Sequence, residues 1–132
     1  MNMNELNSII YADNDEVSRE MTKVLFTSFT TINPVIAETI DDILESIDEK
    51  QPDLIILNDS VFNTNEIDQF RNFSCDTRVK NIPIILIAEK TESENVLPIE
   101  DHELFETIQK PCSLTDIIKK FKEICSSMTF AA

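Results

Sequence analysis

Hydrophobic and polar positions come in short blocks along this chain, and the period changes from block to block. Residues 8–12, Ser-Ile-Ile-Tyr-Ala, are an apolar run that ends at acids, the pattern of a short buried strand. From Asp15 the period becomes helical. Val17, Met21, Val24 and Leu25 share one stripe, while Glu16, Arg19, Glu20 and Lys23 lie mostly off it. This spacing predicts a helix packed on the core through that stripe, with Asp15 as its N-cap. Residues 33–37 read as a second short strand. Ile40, Ile43, Leu44 and Ile47 then form the stripe of a second helix, with Thr39 as cap and acids Asp41 and Asp42 in the first turn, where they complement the helix dipole.

Pro52-Asp53 breaks that helix. Leu54-Ile55-Ile56-Leu57 follows with no polar alternation, as in a parallel strand covered on both faces. Asn58-Asp59-Ser60 closes it. Residues 66–73 predict a weaker helix carrying Ile67, Phe70 and Phe73. Residues 82–87 are a second fully apolar strand. Residues 89–103 are polar and hold Pro98, so any helix there is short or irregular. Residues 104–108 read as a fifth strand that ends at Lys110-Pro111. Ser113 caps a last helix with Leu114, Ile117, Ile118, Phe121 and Ile124 on one face, and residues 126–132 read as a frayed tail. Strand and helix alternate throughout. The expected fold is α/β, a five-stranded parallel sheet with helices on both faces, in one domain spanning residues 1–132.

Composition narrows the function. Apolar residues are 42% of the 132, a globular proportion. No run approaches the ~20 apolar residues of a membrane helix, and the N-terminus has no secretory pattern, so a cytoplasmic setting is expected. The formal charge of −14, from 25 acids against 11 bases, repels phosphate backbones and argues against nucleic acid partners. Three cysteines, Cys75, Cys112 and Cys125, show no paired spacing and read as free thiols in or near the core. His102 is the single histidine, which disfavours zinc. Glycine is absent altogether. That excludes glycine-rich phosphate loops and dinucleotide fingerprints, and turns must use Asn, Asp, Ser and Pro instead.

In open parallel sheets, ligands sit beyond the carboxyl ends of the strands. The residues there are Asp13, Asn14 and Asp15 after the first strand, Asn58 and Asp59 after the third, Ala88 and Glu89 after the fourth, and Lys110 after the fifth. With Ile9-Ile10-Tyr11-Ala12-Asp13-Asn14-Asp15, Gln51-Pro52-Asp53-Leu54-Ile55-Ile56-Leu57-Asn58, Pro83-Ile84-Ile85-Leu86-Ile87-Ala88 and Lys110-Pro111 in this order, the chain resembles the CheY-like receiver domain of response regulators over nearly its whole length. Arg19 also stands where that family often has arginine. The resemblance implies a (βα)5 flavodoxin-like receiver fold and a place in two-component, phosphorelay-type signalling. It also implies a pocket in which acids hold Mg²⁺, an aspartate attacks phosphorus, and a hydroxyl and a lysine bind the phosphoryl oxygens.

Mapped onto that pocket, the chain keeps Asp13 and Lys110 only. The second acid is Asn14, the acceptor position is Asn58, the hydroxyl position is Ala88 and the aromatic switch position is Thr107. A neutral amide is a poor nucleophile, and two lost charges weaken a magnesium site. The expectation is a degenerate pseudo-receiver with no catalytic residue and no cofactor. Mg²⁺, through Asp13 and Asp15, is expected only if the pocket still functions. Lys110 is expected to bridge to Asp13, the alternative being a solvated amine. Such a domain acts through protein–protein contacts with a signalling protein, a sensor kinase or a downstream output protein. The expected face is the last helix, with Lys119, Lys120 and Lys122, and the acidic stretch before it. Two alternatives remain: a working acceptor displaced to Asp59, and a small flavodoxin-like enzyme, for which no nucleophile–base pair or cofactor motif is present.

Overall fold

The computed structural model describes residues 8–62, 66–88 and 105–131. Five strands form one sheet: β1 (Ile9–Ala12), β2 (Val35–Ala37), β3 (Leu54–Asn58), β4 (Ile84–Ala88) and β5 (Phe105–Gln109). Every pairing is parallel, and the order is β2-β1-β3-β4-β5. The described helices are α1 (Glu16–Phe29), α2 (Ile40–Glu49), α3 (Glu66–Cys75) and α4 (Leu114–Ala131). This is the expected doubly wound α/β architecture. The polar stretch 89–103, with His102, lies outside the described residues.

The apolar runs of β1, β3 and β4 lie at the centre of the sheet, and all their apolar side chains are buried. Alternation along each strand divides the core in two. Ile10, Ile55, Leu57, Ile84 and Leu86 pack on one face with Ile43 of α2 and Phe70 and Phe73 of α3. Ile9, Tyr11, Ile56, Ile85 and Ile87 pack on the other with Phe26 of α1 and Ile117 and Phe121 of α4. Edge-to-face stacking of Phe70 on Phe62 and Phe105, at 5.8 and 5.0 Å between ring centroids, ties the first face together.

The predicted caps form. Asp15 accepts from the Ser18 amide at 2.8 Å. Thr39 and Asp42 make a reciprocal capping box, and Ser113 and Asp116 exchange the same pair of bonds at 2.9 and 3.2 Å. A chain without glycine also solves its helix ends differently. Thr30 and Lys50 close α1 and α2 in extended conformations, and no described residue has positive φ.

Three expectations are corrected. The stripe Val17, Met21, Val24 and Leu25 does not face the core: these residues are 65%, 61%, 58% and 38% exposed, and Phe26 is the one buried residue of α1. Helical period shows that a face is apolar, not what covers it. Residues 126–131 continue α4, because nothing from Ser126 onward breaks a helix. Cys75 is exposed, at the end of α3 on the side away from Phe73.

Candidate functional site

The carboxyl ends of β1, β3, β4 and β5 converge, and with them Asp13, Asn58, Asp59, Ala88 and Lys110. Asp13 is 1% exposed, one of two buried polar residues among those described. A buried carboxylate needs donors, and this one has three. Tyr11 Oη donates to Oδ2 at 2.7 Å, while the Asp15 amide and Ser60 Oγ donate to Oδ1 at 2.9 and 3.0 Å. Arg19 Nη1 donates to the Asp13 carbonyl at 2.9 Å, which fixes the loop from the side of α1.

Beyond β3 the chain turns back through a 3₁₀ turn, Asp59–Val61. Asn58 is the N-cap of that turn, its Oδ1 accepting from the Ser60 amide at 3.0 Å. The turn places Ser60 Oγ between two groups of the β1 loop: it accepts from the Asn14 amide at 3.0 Å and donates to Asp13. The same turn swings the Asp59 carboxylate onto Lys110, with Nζ to Oδ1 at 2.6 Å. The expected bridge between Lys110 and Asp13 is therefore replaced by Lys110–Asp59. Asp13 is already enclosed by neutral donors, whereas the turn carries the Asp59 carboxylate to the lysine. The Lys110 amide donates to the Ala88 carbonyl at 2.8 Å, so these two sequence-predicted positions meet through backbone only.

Thr107 lies within β5 in register with Leu86, partly buried and two residues short of the strand end. Asp15 acts as a helix cap, and its bonds from Ser18 hold its carboxyl below the ordinary carboxylate value. Cys112 is half-buried beside the site. Burial, with the charge of Asp116 behind it, pushes its thiol up, and this outweighs the opposite pull of Lys110. It is not an activated thiolate.

The donor set fits a magnesium ion poorly. Mg²⁺ takes hard oxygen ligands in near-octahedral array. Both oxygens of Asp13 are engaged by protein donors, Asn14 supplies a neutral exposed amide, and the second carboxylate, Asp59, is paired with a cation. No group of three possible metal ligands occurs among the described residues.

Sequence reasoning missed two residues here. Tyr11 stands in the sequence as one residue of the first apolar run, although strand alternation places it on the same face as Asp13, two residues on. Ser60 was read as a turn residue, and no periodic signal reports that its hydroxyl fills the site. Tyr11, Asp13, Asn58, Lys110 and Cys112 also border a cavity of about 370 Å³, whose other wall includes Met21 and Leu25 of α1 and Leu114 and Ile117 of α4.

The pattern described as response regulator receiver domain matches residues 9–122. No curated protein matches the chain. Among solved structures, a response regulator receiver modulated diguanylate cyclase from Pelobacter carbinolicus is similar at a TM-score of 0.70 and 20% identity, over 96% of this chain and 97% of that one. A two-component response regulator from Clostridium difficile is similar at 0.71 and 18%, over 92% and 98%. A response regulator receiver domain protein from Clostridium thermocellum is similar at 0.73 and 16%, over 96% and 100%. At these identities the likeness shows the fold, and the match over residues 9–122 shows the family. The chain belongs to the response regulator receiver domain family of two-component signalling.

Proposed function

We propose that this receiver domain signals without accepting a phosphoryl group, through contact with another signalling protein. The carrying observation is Asn58. The acceptor position holds an amide, and its oxygen is committed to the Ser60 amide at 3.0 Å. An amide nitrogen conjugated to its carbonyl is no match for a carboxylate as a nucleophile toward phosphorus. Three further features support the reading. Ala88 offers a methyl where a hydroxyl would bind phosphoryl oxygens. Three protein donors already occupy most of the acceptor capacity of the Asp13 carboxylate. Lys110 already holds a carboxylate, so the charge that would stabilise an incoming phosphoryl group is neutralised internally.

Such a domain has no catalytic residue of its own and works in the cytoplasm as a binding module. Among the described residues no helix is long and apolar enough to cross a membrane. The partner is a sensor kinase or an output protein. The α4 face that the sequence nominates carries Lys119 and Lys122 exposed, with Lys120 turned to Glu106 and Glu123 at 3.7 and 3.5 Å.

One observation favours a second reading. Asp59 is a carboxylate at the strand end, 2.6 Å from the lysine that receivers use on phosphoryl oxygens. The test is intact mass after incubation with acetyl phosphate and Mg²⁺, with Asn58→Asp run beside it to learn whether the amide alone blocks the chemistry. No adduct on the native chain is the expected result. A stable adduct that maps to Asp59 overturns the proposal in favour of a displaced acceptor.

A further inference from the structure

α1 rests on the sheet through one buried residue, Phe26. On the same side of the sheet, α4 seats Ile117 and Phe121 in the core. Between the two helices lies the cavity of about 370 Å³, where protein interiors ordinarily keep only voids near the size of a water molecule. The volume is that of a small-molecule site, and the walls are of the matching kind, mainly apolar with a few polar groups gathered at one end. Phe26, Ile87 and Ile117 are buried lining residues. Met21 and Leu25 line it too, and their exposure, 61% and 38%, sets them at its mouth. Two residues of the outward apolar stripe of α1 thus belong to the rim of a cavity.

The polar end is formed at the strand ends by Tyr11, Asp13, Asn58 and Lys110. Most of this polar capacity is used within the protein. Tyr11 Oη donates to Asp13, and Asn58 Oδ1 accepts from the Ser60 amide. Lys110 is the exception. Its ammonium has three N–H donors, and the one hydrogen bond it makes among the described residues goes to Asp59. It is also the one cation among the lining residues. Charge then selects the ligand. A carboxylate or phosphate must compete with Asp59 for Lys110, beside Asp13, in a chain of net charge −14. A cation meets Lys110 itself. An uncharged carbonyl takes one of the remaining ammonium donors and leaves the Lys110–Asp59 pair in place, while an apolar body fills the space between the helices. We propose that the cavity between α1 and α4 binds a small, uncharged, mainly apolar molecule that presents one carbonyl oxygen to Lys110. Because such a ligand touches both helices and the strand ends together, it favours the arrangement of the two helices that holds it, and so gives the domain an input other than phosphate. The inference concerns the cavity alone and stands whether or not the chain accepts a phosphoryl group.

The experiment is a titration of the full, ¹⁵N-labelled chain with acetophenone, an uncharged aromatic ketone, followed by amide chemical shifts. Benzoate and benzylamine, of similar shape but opposite charges, are titrated beside it. Saturable shifts centred on Met21, Leu25, Cys112 and Leu114 are expected, with a dissociation constant on the order of millimolar for so small a ligand. Acetophenone should bind about fivefold or more tightly than either charged compound. Lys110→Met, whose spectrum reports that the fold is kept, should weaken acetophenone about fivefold or more. Val24→Asp, on α1 but outside the cavity lining, should leave its binding unchanged. Shifts that do not saturate, or that centre on Val17 and Val24, overturn the proposal. Benzoate or benzylamine binding as tightly as acetophenone overturns the uncharged head group. Binding indifferent to Lys110→Met overturns the role of the lysine.

Discussion

Replacing Tyr11 by Phe removes one oxygen from the molecule and leaves its ring where it is. That oxygen donates to Asp13 Oδ2 at 2.7 Å. Tyr11 is 3% and Asp13 1% exposed, so bulk water does not take the place of the lost donor. A hydrogen bond to a charged group contributes about 1.5–3 kcal/mol. Asp13 retains its two bonds to Oδ1, and the neighbouring cavity can admit a water toward Oδ2, which places the loss at the lower end, about 1.5–2 kcal/mol. For a chain of this size that corresponds to a fall in Tm of roughly 5–7 °C. Urea unfolding followed by circular dichroism should show a lower midpoint at unchanged slope. A double-mutant cycle with Asp13→Asn should show coupling of about 1 kcal/mol or more, since the two atoms are in direct contact. The chain has one tyrosine and no tryptophan, so absorbance near 295 nm reports this phenol alone. Burial first, then the bond to Asp13, hold its ionisation well above the ordinary 10.0. The sign follows: the stabilisation is fully present below pH 10 and is lost as pH rises toward the folded value. In Asp13→Asn the titration should move down but stay above 10, because burial remains. If Tyr11→Phe changes stability by less than about 0.5 kcal/mol, or if the tyrosine titrates near 10 in the native chain, the account of a carboxylate held by internal donors is refuted.

The two sides of α1 should respond very differently to truncation. Phe26→Ala removes a fully buried ring and should cost about 3–5 kcal/mol, whereas Val17→Ala should stay within about 0.5 kcal/mol. Equal losses would show that the exposed row is in fact packed. At the turn after α3, Arg78 binds Asp76 at 2.8 Å and Asp48 at 3.0 Å, and its bonds lower Asp76 from 3.8 to about 2. The contribution is therefore present above about pH 4 and lost as pH falls through about 2. It is small because the group is near the surface, and salt reduces it further. Asp76→Asn should accordingly lose less stability than the native chain over that interval of acid unfolding, and parallel curves would remove the pair from the account.

The sheet can be read from the order of residues alone. Leu54-Ile55-Ile56-Leu57 and Ile84-Ile85-Leu86-Ile87 are too uniformly apolar for a sheet with a wet face, and helices between such strands leave parallel pairing as the way to cover both sides. The same order also specifies the caps at Asp15, Thr39 and Ser113, because capping depends on residues three apart along the chain. The strand-end positions Asp13, Asn58, Ala88 and Lys110 were legible too, since strand ends are fixed once the strands are. Bounds shifted by a residue or two at β2, β4 and β5, where the last pairing decides.

Other features depend on contacts between distant parts of the folded chain. Which carboxylate Lys110 holds depends on a 3₁₀ turn that rotates Asp59 inward, and the lysine and that carboxylate come from strand ends far apart in sequence. The same turn puts Ser60 on Asp13, a contact across 47 positions that no local period encodes. The face of α1 shows the limit most clearly. Its hydrophobic row is plain in the sequence, but the helix is rolled so that Phe26 joins the buried cluster that holds Tyr11 and Ile56, and the row points outward. Period fixes how apolar residues are spaced around a helix axis, whereas the roll of the helix about that axis is set by the shape of the sheet it lies on.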